Sequence, residues 1–306
     1  MLGFVSRANA VRLTLGTISG VLAVWPVMSA EPAAQNPDLS GMWARNAFNF
    51  EPIPGQPAPL VNLKRIADGT GDGGQLVGDY KNPILKPEAA EIVRKKGEIS
   101  KAGRPYPDPS NSCAPYVPPF TYAMQLGIQI VPTKDHITML YSQDDQVRRV
   151  RLNATHPRNL KPSAMGDSIG HWEGDTLVVD TIGVKPTPYA LIDRYGVPVT
   201  NALHVVERYR LIDGALAKSA QDTYEKREGR VGGVPGAMAI DPDTNLKGLQ
   251  IQITVEDPTM FTTAWSATST YRRGRGPWLE QICAEADFDF NENKPAEIPR
   301  ADRPDF

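Results

Sequence analysis

The chain has 306 residues, 41% of them hydrophobic and 22% charged, a balance that supports a packed core and excludes wholesale disorder. Its formal charge is −2 and it has no long basic run, so nucleic acid is not an expected partner. Short basic pairs such as Arg148-Arg149 and Arg272-Arg273 read as solvated faces.

Residues 1–30 read as a signal peptide. Arg7 and Arg12 precede an apolar stretch from Leu13 to Met28, with small residues at Ser29 and Ala30. Gly16, Gly20 and Pro26 interrupt that stretch and make it a poor membrane span. Cleavage would remove two arginines and no acids, moving the charge from −2 to −4. The expected location is therefore periplasmic or secreted, with no membrane association after cleavage. An oxidising compartment favours pairing of the only two cysteines, Cys113 and Cys283, with two buried thiols as the alternative.

Residues 31–120 are rich in proline and glycine and read as an extended arm. "LSGMWARN" predicts an early strand. "KPEAAEIVRKKGE" predicts one helix, with Pro87 at its first position and Gly97 as its stop. Gly69, Gly71 and Gly74 match G-x-G-x-x-G, but no helix pattern follows to cradle a phosphate, so the stretch reads as a loop.

Over residues 121–290 the chain becomes a series of short β-type runs. They are "LGIQIVPT", "HITMLYSQ", "QVRRVRLN", "SIGHWEG", "DTLVVDTIG", "LHVVERYRLID", "ALAKSAQDTYE", "LQIQITVED", "FTTAWSATSTYRR" and "WLEQICAEADF". About ten strands with short connections predict an all-β domain, an antiparallel meander closed into a lipocalin-like barrel; a two-sheet sandwich is the alternative. Residues 291–306 read as a mobile tail.

Several motifs bear on chemistry. Gly166-Asp167-Ser168-Ile169-Gly170 fits G-x-S-x-G, yet a nucleophile elbow needs a strand entering and a helix leaving. Here a proline-bearing loop enters and a Glu-Gly-Asp-Thr hairpin follows, so Ser168 reads as the first residue of a strand. In the segment 203–211, alternation sets Leu203, Val205, Glu207, Tyr209 and Leu211 on one face. Glu207 would then point into an apolar interior, either as a general acid or base or as a structural carboxylate bonded to an arginine or to Tyr209. The same alternation separates Glu207 from His204 and weakens their H-x-x-E spacing as a metal pair. The hairpin sets His171 opposite Val178 and Ile169 opposite Asp180, so His171 and Asp180 lie diagonally on one face as a second candidate pair. Loop residues His156 and Asp193, with Arg208, complete a candidate catalytic set of Glu207, His156, Asp193 and Arg208.

"GDSIGHWEGDTLVVDT", "LHVVERYRLID", "ITVEDPTMFTTAW" and "LEQICAEADF" together resemble a family of uncharacterised exported bacterial β-rich proteins, over roughly residues 105–290. The late E-x-x-C-x-E strand of that family is matched by Glu280, Cys283 and Glu285. The resemblance implies a β-rich exported protein and no catalytic residues. Near Cys113, "CAPYVPPF" departs from the family's pattern by lacking a glycine and an arginine.

Two functions are expected from these residues. One is an exported enzyme working by acid–base chemistry on a small, largely apolar organic molecule. The other is a non-catalytic carrier of such a molecule. No nucleotide or metal-ligand pattern is present, so no cofactor is expected, and nothing in the sequence bears on oligomeric state.

Overall fold

In the strand Gly248–Glu256, Leu249, Ile251, Ile253 and Val255 are fully buried and the residues between them are not. That period of two seals one face against a core and leaves the other to solvent. The computed structural model describes residues 36–45, 47–69, 75–104, 108–123, 127–142, 145–228 and 238–278, together with Gly3, 288–289 and 294–295. The signal peptide and the tail fall almost wholly outside the described residues, as do Gly71, Gly74 and Cys283.

The elements in chain order are β1 (Gly41–Ala44), β2 (Glu51–Pro52), α1 (Leu63–Asp68), α2 (Pro87–Lys101), β3 (Ile128–Pro132), β4 (His136–Tyr141) and β5 (Gln146–Leu152). They continue with β6 (Asp167–Glu173), β7 (Thr176–Ile182), β8 (His204–Ile212), α3 (Gly214–Glu228), β9 (Ala239–Ile240), β10 (Gly248–Glu256) and β11 (Trp265–Arg275). Pairing runs β1-β3-β4-β5-β6-β7-β8-β10-β11, and β11 returns to β1 through Trp43↔Arg273 and Ala44↔Arg272. The sheet is a closed barrel of these nine strands, with β2 and β9 added along β11.

An odd-numbered ring cannot be antiparallel throughout, because strand direction must return to itself after one circuit. One seam has to be parallel, and it is β5–β6, through Val150↔Ser168, Arg151↔Ile169 and Leu152↔Gly170. The other seams of the ring are antiparallel, as the meander predicts. Residues 153–166 form the connection that carries the chain back for the parallel pairing.

Three local expectations change. "ALAKSAQDTYE" is the helix α3, not a strand. The Asp213 carboxylate accepts from the Ala215 and Leu216 amides at 2.9 and 3.4 Å, capping its start, and Ala217, Gln221 and Tyr224 form a buried stripe at helical spacing. Gln221 hides the pattern by being polar, yet its amide reaches the carbonyls of Ala44 and Thr270 at 3.0 and 3.4 Å, bracing the β1–β11 closure. Helix α2 runs past Gly97 to Lys101, because the glycine faces Val77 rather than ending the helix; an added Cβ would lie 3.1 Å from the Val77 side chain. The stretch read as an extended arm also supplies core: Leu39, Trp43, Phe50, Leu60 and Val93 join Tyr122, Val205 and Ile253 in one cluster.

Candidate functional site

Alternation sends Glu207 inward as read from the sequence. It lies on β8 between Val205 and Tyr209, all three fully buried. Its partner is Arg148 on β5, whose Nη1 donates to both carboxylate oxygens at 3.0 and 2.9 Å. The two side chains are 0% and 1% exposed. Tyr209 donates to the same carboxylate at 2.9 Å and Tyr122 at 3.3 Å. Tyr122 enters from the turn Phe120–Ala123, and its hydroxyl lies 2.6 Å from that of Tyr209 and 3.0 Å from that of Tyr141. The same Nη1 also donates to the Tyr122 hydroxyl, while Nε donates to Ser168 at 2.9 Å and Nη2 to Thr181 at 2.5 Å. Burial alone would pull the Arg148 guanidinium down, but the Glu207 carboxylate and the tyrosines around it hold it well above its ordinary range. Burial likewise raises the Tyr122 and Tyr209 hydroxyls well above theirs, so they act as hydrogen-bond donors and not as acids.

This network fills the centre of the barrel and leaves the Glu207 carboxylate fully bonded. Of the two roles the sequence offers, the geometry matches the structural one. Arg148 is not the solvated face that its place beside Arg149 suggests. Its position in β5 sets it opposite Met139, an inward residue of β4, so it points inward while Arg149 points out.

Ser168 sits in the same network. It is 3% exposed, and its hydroxyl accepts from Arg148 and lies 3.0 Å from that of Thr181. It is the second residue of β6, one position inside the strand start expected of it, and has no imidazole among its hydrogen-bond partners.

The candidate catalytic set does not converge. Arg208 follows Glu207 along the strand and therefore points outward, where it pairs with Glu173 at 2.6 Å. Asp193 is buried in the loop after β7, where one carboxylate oxygen accepts from the amides of Tyr195, Gly196 and Val197 at 2.9, 2.9 and 3.3 Å. Burial pushes its carboxyl up to about 6, against the lowering effect of those amides and of Lys96. It structures its loop. The hairpin register is as read, His171 opposite Val178 and Ile169 opposite Asp180, but His171 turns to Glu173 at 3.0 Å. Asp180 instead meets His204 Nε2 at 3.0 Å and His156 Nε2 at 3.2 Å, because β8 sets His204 opposite Ile182, diagonal to Asp180. His156 Nδ1 reaches Asp167 at 2.6 Å, and Asp167 in turn takes two bonds from Arg151, at 2.9 and 2.8 Å. The outer wall thus carries a chain of hydrogen-bonded polar side chains, Arg151–Asp167–His156–Asp180–His204, that ties the 153–166 connection to β6, β7 and β8. Among the described residues no group of His, Cys, Asp and Glu is arranged to hold a metal ion, and no helix is long and apolar enough to cross a membrane.

Beside this chain lies a cavity of about 520 Å3, lined by Asp135, His136, Arg149, Arg151, Leu152, Ala154 and Gly166–Ser168. It arises from the parallel seam. The β5–β6 ladder covers only Val150–Leu152 of β5, and among the described residues the Gln146–Arg149 half has no ladder partner on that side. Ser168 joins the cavity to the interior network, since it lines the one and bonds Arg148 of the other. His136 was absent from the sequence candidates. Its Nδ1 faces Asp135 at 2.8 Å and the Thr133 hydroxyl at 2.9 Å, and its Nε2 has no hydrogen-bond partner among the described residues. The Asp-His dipeptide at a strand start was the available signal. A smaller cavity of about 330 Å3 lies beside α1, lined by Asn62, Leu63, Ala67, Val77 and Lys101 among others.

Compared with protein-family models, curated proteins and solved structures, the chain matches none.

Proposed function

We propose that the chain is an exported binding protein for a small organic molecule, held on the outer wall at the β5–β6 seam and not in the lumen. The observation that carries this reading is a contrast between two places. The centre of the barrel is occupied by the Arg148–Glu207–Tyr122–Tyr209 network, whereas the seam has a cavity of about 520 Å3, within the ~300–1,000 Å3 range of small-molecule sites. The cavity combines apolar wall from Leu152 and Ala154 with a few charged groups, the mixture by which such sites hold and orient a ligand. Export is supported by the composition of residues 1–30 and by the resemblance carried by the W-E-G-D-T-L-V-V hairpin. The acid–base enzyme reading has less support, because its four residues lie in three separate places and Glu207 is saturated with hydrogen bonds.

A fragment library screened by protein-observed NMR tests the proposal. Hits are expected to shift the amides of Leu152, Ala154 and Asp167 and to be recovered chemically unchanged. Hits confined to the surroundings of Tyr209, or conversion of a hit into product by the wild-type protein, would overturn it.

A further inference from the structure

The charged groups around the seam cavity are unequally satisfied. Asp167 is taken by Arg151 through two bonds at 2.9 and 2.8 Å and by His156 at 2.6 Å. Asp135 accepts from His136 at 2.8 Å and from Thr133 at 3.1 Å. Arg149 has neither an ion pair nor a hydrogen bond from its guanidinium among the described residues. Across the β4–β5 ladder it faces Thr138, a neutral residue. Continuing the parallel register from Val150↔Ser168 by one position brings it level with Asp167, whose carboxylate is already committed to Arg151 and His156. Arg149 is therefore the charged side chain of this lining without a partner among the described residues, in a cavity whose lining also includes Leu152 and Ala154.

We infer that the seam cavity takes a monoanionic carboxylate, with the Arg149 guanidinium forming the charge contact and the ligand's hydrocarbon part lying along Leu152 and Ala154. A planar guanidinium offers two parallel N–H groups that match the two oxygens of a carboxylate, a fit that a point-charge lysine lacks. One unmet cation fits one negative charge. The inference rests on the proposed binding role and sharpens it to a ligand class.

The test is a panel of aromatic and aliphatic monocarboxylates, benzoate and hexanoate among them, each paired with its neutral amide and titrated by NMR at low ionic strength. Carboxylates are expected to bind at the seam at least tenfold more tightly than their amides. Arg149→Ala should weaken the carboxylates at least tenfold while leaving the amides within twofold, and Arg149→Lys should recover only part of the loss. Arg149 is exposed, so the variant is expected to keep the wild-type spectrum away from the seam. Amides binding at the seam as tightly as the acids, or carboxylate affinity unchanged in Arg149→Ala, overturns the anion inference and leaves the binding role standing. No seam shift from any member of the panel overturns the anion inference too, and the neutral fragments of the wider library then decide the binding role separately.

Discussion

Removing either partner of the Arg148–Glu207 pair should cost far more than removing both. Arg148→Met leaves a carboxylate in the barrel centre with only the Tyr122 and Tyr209 hydroxyls, and Glu207→Leu leaves a guanidinium there with no counter-charge. Breaking a buried pair from one side costs about 3–5 kcal/mol, against a total stability of about 5–15 kcal/mol for a typical domain. In the double variant the remaining polar groups still satisfy one another. Ser168 and Thr181 lie 3.0 Å apart, and the Tyr122 hydroxyl lies 2.6 Å from Tyr209 and 3.0 Å from Tyr141. The double variant should therefore fall within about 2 kcal/mol of wild type, because apolar replacement of a whole buried pair is often neutral. The coupling energy from the full cycle is then at least about 4 kcal/mol, above the range of about 0.5–3 kcal/mol measured for most contacts. Equilibrium denaturation in urea, with one slope shared by all four proteins, measures it. Additive losses, or Glu207→Leu at wild-type stability, would refute the structural assignment of Glu207 and reopen a chemical role for it.

Asp193→Asn keeps the single oxygen that accepts three amides and removes the charge that burial opposes. The wild-type carboxyl is raised from 3.8 to about 6, so the native state holds its proton more tightly than the unfolded chain. Its stability contribution is complete below pH 3.8 and is lost as pH rises through about 6, a loss of about 3 kcal/mol relative to the asparagine variant. Denaturation of both proteins at pH 4 and pH 7 should show about 2–2.5 kcal/mol of that difference, since pH 4 already lies just above 3.8; parallel profiles would contradict it. Gly248→Ala should destabilise by about 1–3 kcal/mol, since its Cβ would stand 2.3 Å from that of Ala217 and force α3 off the barrel. Thermal unfolding reads this, and a wild-type midpoint would argue against the packing. If Cys113 and Cys283 are bridged, the protein denatured without reductant should release no free thiol, and reduction should cost about 4–5 kcal/mol on the chain-entropy account. Two titratable thiols would remove the bridge.

Local pattern was enough to read much of the wall. Alternation in "LHVVERYRLID" assigned Glu207 to the interior, the Glu-Gly-Asp-Thr turn set the β6–β7 register residue by residue, and Pro87 marked the start of α2. Each of these depends on a backbone repeat or turn that acts within a few residues, so a stretch of chain carries it wherever it is placed. The company each side chain keeps has another origin. Arg148 meets Glu207 across 59 positions, and His156 and His204 meet on Asp180, because strands distant in sequence become neighbours when the ring closes. The parallel seam, and the cavity beside it, follow from nine strands having to close on themselves, a count that no single segment contains. Helix α3 belongs to the same class: Gln221 is buried only because the β1–β11 closure offers it two carbonyls, a partnership that exists once the barrel has formed.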